Sequence, residues 1–300
     1  MAIDLRDLLY FEAIAEHHHL GRAAEALGLG QPALSMSLRR LERSAQAKLV
    51  ARTPKGVQPT SIGQALLSHL GRVRLAHADM ARELADLAGG RSGHLRIGAS
   101  PSNAEQFLPE ACSALLRGAP QVSLEVTLLD NESLLPALRK GELDMVLRHT
   151  TPLQPSDLIE EPFRRDQFVI YCAVTHRLAK RKSVTLKDLA QERWASTTAA
   201  AGPLFSLPEA FAQAGLPPLR TALVTDLVMF KLRVVAGSDL LGISNQRTVQ
   251  AEAARLGLAI LPVAGLDLVR TVAVSYRKDS YLPTAARKLI QTLKTTARDG

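Results

Sequence analysis

The chain is poor in cysteine, in aromatic side chains and in long apolar runs, and each shortage excludes a class of protein. Its 300 residues hold two cysteines, Cys112 and Cys172, sixty positions apart and with no Cys-x-x-Cys. That usage excludes a disulfide-stapled scaffold and a thiolate zinc site. It reads as two buried thiols in a reducing cytosol, with a redox pair as the minor alternative. Aromatics make up 4% of the residues, too few to build the stacking platforms that hold single-stranded nucleic acid. No stretch of about 18 apolar residues occurs, and the opening Met-Ala-Ile-Asp-Leu-Arg-Asp is charged from the start, so neither a membrane span nor a signal peptide is expected. Repeats of 20 to 50 residues and low-complexity tracts are also missing.

Enzyme motifs are absent too. There is no Walker A loop, no His-Glu-x-x-His and no Gly-x-Ser-x-Gly elbow. Gly28-Leu-Gly-Gln-Pro-Ala33 matches a Gly-x-Gly-x-x-Ala fingerprint, but it follows a helical pattern where dinucleotide binding requires a strand. The triplet His17-His18-His19 sits at a helix end, where adjacent side chains diverge, and reads as a solvated terminus rather than a metal site. The expectation is a protein that is not an enzyme and has no cofactor and no bound metal.

What is present is an ordinary globular composition, 46% hydrophobic and 22% charged, with a formal net charge of +8. A basic balance points to an anionic partner. The excess is uneven. Residues 1–19 carry one basic residue against four acidic, whereas residues 20–60 carry seven against two. Three regions separate by pattern: short amphipathic helices over 1–60, one long helix from 61 ending near a Gly89, Gly90, Ser92, Gly93 hinge, and alternating strand-like and helix-like stretches from Gly93 onward.

In the first region, Leu5, Leu8, Leu9, Phe11 and Ile14 form an apolar stripe on a helix that starts near Asp4. Then Arg22-Ala23-Ala24-x-x-Leu27-Gly28-Leu29-x-x-x-Ala33-Leu34-Ser35 has the spacing of a helix-turn-helix. Ala24 allows a close crossing, Gly28 supplies the turn, and Leu29 and Leu34 plug the angle between the helices. The second helix, with Pro32 in its first turn, would offer Gln31, Ser35, Met36 and Arg39 to a major groove, where Gln reads adenine and Ser tolerates either base. Arg40 and Arg43 would add phosphate or base contacts, joined by Arg22. Arg52, Thr53 and Lys55 around a Pro54–Gly56 turn make a basic hairpin suited to grip the backbone beside the groove.

Residues 1–90 resemble the winged helix-turn-helix and linker helix of LysR-type transcriptional regulators. The resemblance rests on Ala23, Ala24, Leu27, Gln31, Pro32, Ala33, Leu34, Ser35, Arg40, Leu41, Glu42, Leu49, Arg52, Thr53, Thr60 and Gly63, at fixed spacing. Two positions depart from the family pattern. Met36 stands where the family has Arg or another polar residue, and it can pack on a thymine methyl but cannot hydrogen-bond a base edge. His18-His19-Leu20-Gly21 replaces the hydroxyl-bearing residues that usually cap the second helix, leaving a weaker cap.

In the long helix, Leu66, Leu70, Val73, His77, Met80, Leu84 and Leu87 recur at alternating spacings of four and three, the seam of a coiled coil. A seam this narrow favours a partner helix and so a homodimer, with His77 as its one polar residue. A dimer of DNA readers calls for a two-fold operator in double-stranded promoter DNA. The resemblance further implies a homotetramer, and RNA polymerase as a possible contact of a cytoplasmic, nucleoid-associated activator.

From Gly93, the fold class expected is α/β. The resemblance implies two Rossmann-like subdomains similar to periplasmic solute-binding proteins, about 93–162 with 268–300, and about 163–267, with an effector in the cleft between them. Ligands in such sheets sit at the carboxyl ends of strands and at helix N-termini. Ser100, Ser102 and Asn103, then Asp130, then Arg148, lie at such points in the first subdomain, and Thr197, Thr198 and Thr225 in the second. The family commonly lines its effector site with the segments corresponding to 100–103 and 196–198. Hydroxyls, an amide and free helix N–H groups suit a carboxylate, which points to a small carboxylate or aromatic acid. The competing reading is a constitutive repressor or architectural protein whose ligand domain is unresponsive.

Overall fold

The structure is a computed structural model that describes residues 3–54, 56–87, 93–150, 155–197, 206–266 and 268–296. It divides into two units, residues 1–81 and 82–300.

The first unit begins with α1 (Leu5–His17), capped by Asp4, whose carboxylate accepts from the Arg6 N–H at 2.8 Å. After it come α2 (Leu20–Ala26), α3 (Gln31–Ala45), the hairpin β1 (Val50–Thr53) with β2 (Gly56–Pro59), and α4 (Ser61–Leu87), which continues into the second unit. Phe11, Ile14, Ala23, Ala24, Leu34, Leu38, Leu41, Leu49 and Val57 form one core. Burying a Leu or Phe of this kind contributes roughly 1.5–3 kcal/mol. Ala24 is buried at the helix crossing, and its carbonyl accepts from the Leu29 N–H at 2.8 Å. Leu34 lies in the core as expected. Leu29 is only half-buried and outside it, so the plug of the turn is Leu34 with the partly buried Leu27.

Gly28 has φ +63°, the left-handed conformation the turn requires. Gly56 has φ +106°, and a Cβ there would stand 2.3 Å from the His18 carbonyl oxygen. The close approach serves a hydrogen bond from the Val57 N–H to His18 O at 2.8 Å, which ties the hairpin to the α1–α2 junction. The imidazole triplet is explained locally. His18 takes a left-handed C-cap conformation, and His19 caps α2, its Nδ1 accepting from the Gly21 N–H at 3.1 Å.

The second unit is built on a nine-stranded mixed sheet. Its strands are β3 (His94–Ala99), β4 (Ser123–Leu128), β5 (Met145–His149), β6 (Leu158–Ala173), β7 (Arg193–Ser196), β8 (Arg220–Val224), β9 (Leu241–Asn245), β10 (Leu258–Ile260) and β11 (Val269–Arg277). The order is β4-β3-β5-β11-β6-β9-β7-β8, with β10 also paired to β6. β3 pairs parallel with β4 and β5, and β7 pairs parallel with β8 and β9, so each half is a small parallel sheet. The sixteen-residue β6 joins the halves: its first part pairs with β11 and its second with β9 and β10.

α5 (Pro101–Gly118), α6 (Asn131–Arg139) and α11 (Thr284–Thr296) cover the first half. α7 (Leu186–Leu189), α8 (Ser206–Gln213), α9 (Val228–Ala236) and α10 (Gln246–Leu256) belong to the second. Cys112 packs against the core under α5 and α11, and Cys172 belongs to the core of the other half. Burial pushes both thiols up, Cys172 to about 11, so neither approaches a thiolate near neutral pH.

Candidate functional site

α3 is strongly two-faced. Leu34, Ser37, Leu38, Leu41 and Glu42 are buried. Gln31, Pro32, Arg39 and Arg43 are exposed, Ser35 is half-buried at the rim, and Met36 is 65% exposed. Met36 is therefore open to solvent on the same helix as the exposed Gln31 and Arg39. Arg22 on α2 is also exposed.

Arg40 departs from expectation. Its guanidinium is bound to the buried carboxylate of Asp7 on α1, with Nε donating at 2.6 Å, and the Ser37 hydroxyl donates to the same carboxylate at 2.6 Å. These donors hold the Asp7 carboxyl below the usual range, the Arg40 hydrogen bonds most of all. Arg40 is therefore a clamp between helices rather than a free DNA contact. Glu42 has a comparable task, accepting from the Leu49 N–H at 3.1 Å and from Lys48 Nζ at 2.7 Å where the chain enters the hairpin. In the hairpin, Thr53 Oγ1 donates to the Gly56 carbonyl at 3.0 Å and so shapes the turn. Lys55 lies outside the described residues, as does the side chain of Arg52.

Along α4, Thr60 is the cap: its hydroxyl accepts from the Gly63 N–H at 3.1 Å and donates to the Lys48 carbonyl at 2.7 Å. The expected seam divides. Leu66 packs against the core of the winged domain and Leu70 is buried. Val73, His77, Met80, Leu84 and Leu87 are exposed. Leu66 and Leu70 are thus used within the chain, because the start of α4 lies on its own domain, and only the later positions are open to a partner.

In the second unit a small cavity of about 60 Å³ opens where the two halves of the sheet meet. Ser100, Pro101, Ser102, Asp130, Asn131 and His149 line it from the first half. Thr197, Asp226, Val228, Lys231, Ile243 and Ser244 line it from the second, with Phe168 and Arg270 coming from the strands that join them. Of the predicted effector residues, Ser100, Ser102, Asp130 and Thr197 thus come together. Ser100 is the N-cap of α5, yet its hydroxyl makes no capping bond and is buried without a partner. The first-turn N–H groups behind it have no acceptor within the helix. Asp130 is taken up by its own helix, accepting from the Glu132 and Ser133 N–H groups at 3.0 and 2.8 Å, and the Ser133 hydroxyl and N–H lead in holding its carboxyl low.

Three predicted residues do not line the cavity. Asn103 is fully buried beneath it, its amide reaching the Leu147 carbonyl at 3.5 Å. Arg148 is buried against Glu160, with Nη1 to Oε2 at 2.7 Å. Successive side chains of a strand point to opposite faces, so the cavity receives His149 and the other face receives Arg148. Thr225 turns its hydroxyl to the Leu227 N–H at 3.2 Å. Thr198 lies outside the described residues.

The lining residues beyond the expected contacts include several charged groups, and of these His149 was marked only as the neighbour of Arg148. His149 stands 3.5 Å from Asp166 and edge-on to Phe168, and burial pushes its pKa down. Burial lowers Arg270 to about 10, against the attraction of Asp166. Lys231 is 1% exposed, and burial lowers it to about 8. Its position was marked in the sequence: it lies three residues after Val228 and four before Val235, on the apolar face of α9. The lining thus combines hydroxyls, helix N–H groups and two cations with the carboxylates of Asp130 and Asp226 and the apolar side chains of Phe168, Val228 and Ile243.

The family profile "Bacterial regulatory helix-turn-helix protein, lysR family" matches residues 5–64, and "LysR substrate binding domain" matches residues 88–298. The chain belongs to the LysR family of transcriptional regulators. The HTH-type transcriptional regulator CbbR of Rhodospirillum rubrum is 29% identical to it over 98% of this chain and 97% of its own length. The SDS degradation transcriptional activation protein of Pseudomonas sp. (strain ATCC 19151) is 31% identical over 87% of this chain and 85% of its own. Among solved structures, full-length CbnR complexed with its target DNA matches with a TM-score of 0.65, covering 98% of this chain and 100% of that one at 18% identity. That likeness is one of fold: a helix-turn-helix, a long helix and an α/β domain. The relatives are described as regulators rather than enzymes, and this LysR-family protein is a DNA-binding transcriptional regulator. No described helix is long and apolar enough to cross a membrane.

Proposed function

We propose that this LysR-family regulator reads operator DNA with α3 and that a small anionic effector, bound in the cleft of the α/β unit, alters its activity. Gln31, Pro32, Ser35, Met36, Arg39 and Arg43 would face the major groove. Arg22, Arg52, Thr53 and Lys55 would touch the backbone beside it. The exposed part of the α4 seam, from Val73 to Leu87, supports a homodimer and hence a two-fold operator. By family resemblance the assembly extends to a homotetramer, with RNA polymerase as a further contact and a cytoplasmic, nucleoid-associated location.

The observation that carries ligand response is the Ser100 hydroxyl, buried at a helix start yet without a partner. Buried polar groups are ordinarily paired, so a hydroxyl left open beside free N–H groups suits an anion. An effector would act by favouring one of two DNA-bound states in proportion to its differential affinity for them. In a promoter-bound footprint, Ser100→Ala with Ser102→Ala is expected to abolish the change produced by effector while leaving the footprint itself intact. An unchanged ligand response in the double variant overturns the cleft assignment. A footprint insensitive to every candidate acid, in the wild type as well, favours the constitutive regulator instead.

A further inference from the structure

The proposed cleft holds one ammonium whose presence packing does not explain, and this observation deepens the effector reading, on which it rests. Lys231 lies on α9 beside the core residues Val228 and Leu232. It is almost wholly buried and lines the cavity, yet among the described residues it has no hydrogen bond or direct ion pair. A buried cation without a counter-charge is costly, and a position needing only packing would hold Leu or Met.

The other charged groups facing the cavity come from four further places. Asp226, just before α9, attracts Lys231 at longer range. Arg270 on β11 is set against Asp166 of β6. His149 on β5 also faces Asp166, and its lowered pKa keeps it neutral near pH 7. Asp130 at the start of α6 is occupied by its cap. Lys231 is thus the cation that faces the cavity without a carboxylate in direct contact.

We propose that Lys231 is the counter-ion of the effector and that the effector is a short, unphosphorylated monocarboxylate with an apolar tail. Its carboxylate lies between Lys231 and the Ser100 hydroxyl, and its tail packs on Phe168, Val228 and Ile243. A second negative charge on the ligand would meet the carboxylates of Asp226 and Asp130, which disfavours dicarboxylates and phosphates. The small cavity limits the length of the tail.

The test uses the full chain, with binding followed by calorimetry and thermal shift. The probes are isovalerate, its neutral isostere isovaleramide, the dianion succinate, and inorganic phosphate. Isovalerate is expected to bind and the other three to bind far more weakly. Lys231→Met is expected to lose roughly tenfold or more in isovalerate affinity, the scale of a desolvated charge contact, while its ligand-free Tm stays level or rises. A structural lysine would instead lower the Tm on substitution.

Wild-type affinity is expected to fall as pH rises through about 8, where the ligand-free ammonium gives up its proton. Affinity in Lys231→Met is expected to be flat over that range. The assignment is overturned if isovaleramide, succinate or phosphate binds as well as isovalerate, if no acid binds, or if Lys231→Met binds isovalerate like the wild type. Succinate or phosphate binding that disappears in Ser100→Ala with Ser102→Ala would overturn the monocarboxylate and Lys231 assignment while leaving the cleft reading standing.

Discussion

Arg40 reaches from α3 to Asp7, and this contact joins α1 to α3 through a carboxylate that also serves Ser37. Arg39, one position earlier, is exposed and free to reach a phosphate. Substituting the two therefore has opposite consequences. Arg40→Ala is expected to lower the Tm of the winged domain, because it leaves the buried Asp7 carboxylate without its main partner. The Asp7 carboxyl is held low in the folded state, so this contribution is present at neutral pH and lost as pH falls through the carboxylate range. Arg39→Ala is expected to leave the Tm unchanged and reduce the slope of log affinity against log salt by about 1. Equal Tm values for the two variants would contradict the assignment. The sequence could not separate these arginines, because the partner of Arg40 lies thirty-three positions away on another helix. The same holds in the cleft. Every residue of β5 is buried, so no polar alternation told which of Arg148 and His149 faces the cavity.

The elements differ in how visible they were. β3, β4, β5, β9, β11 and α11 lie near patterned runs visible in the sequence, at 94–100, 122–128, 144–147, 240–244, 269–276 and 283–296. The first half of β6, Leu-Ile-Glu-Glu-Pro-Phe-Arg-Arg-Asp-Gln, is charged and contains Pro162, so it does not read as a strand. It is one because β11 pairs along it, with a register shift opposite Pro162 and Arg164, where a missing N–H is tolerated. On α4 the heptad spacing was legible, but spacing alone cannot say which partner a residue meets. Leu66 meets its own domain, whereas Met80 and Leu84 are 51% and 59% exposed. Met80→Glu with Leu84→Glu is expected to convert the dimer to a monomer in analytical ultracentrifugation without lowering the Tm of the winged domain. A dimer that persists would move the interface off this helix.

At the scale of the whole molecule, the net charge of +8 named the kind of partner but not its place. The basic excess of residues 20–60 includes Arg40, which is tied to Asp7, and Lys48, which is tied to Glu42. On the proposed reading, what remains for DNA is Arg22, Arg39, Arg43, Arg52 and Lys55, beside Gln31, Ser35 and Met36. The second unit places the buried Lys231 and the half-buried Arg270 at its cavity. One chain thus carries an exposed basic strip on its first unit and, on the proposed reading, a separate site for a small acid in its second.

The central claim, that α3 reads sequence as part of a two-fold assembly, is tested most directly by selecting binding sites from a random duplex library with the full chain and with Gln31→Ala. The account predicts that the wild type enriches a two-fold symmetric motif with half-sites about one helical turn, or a multiple of it, apart. Gln31→Ala should relax the preference at one position in each half-site, while overall affinity falls by about 1–3 kcal/mol. Enrichment of no motif, or the same motif undiminished by Gln31→Ala, would contradict it.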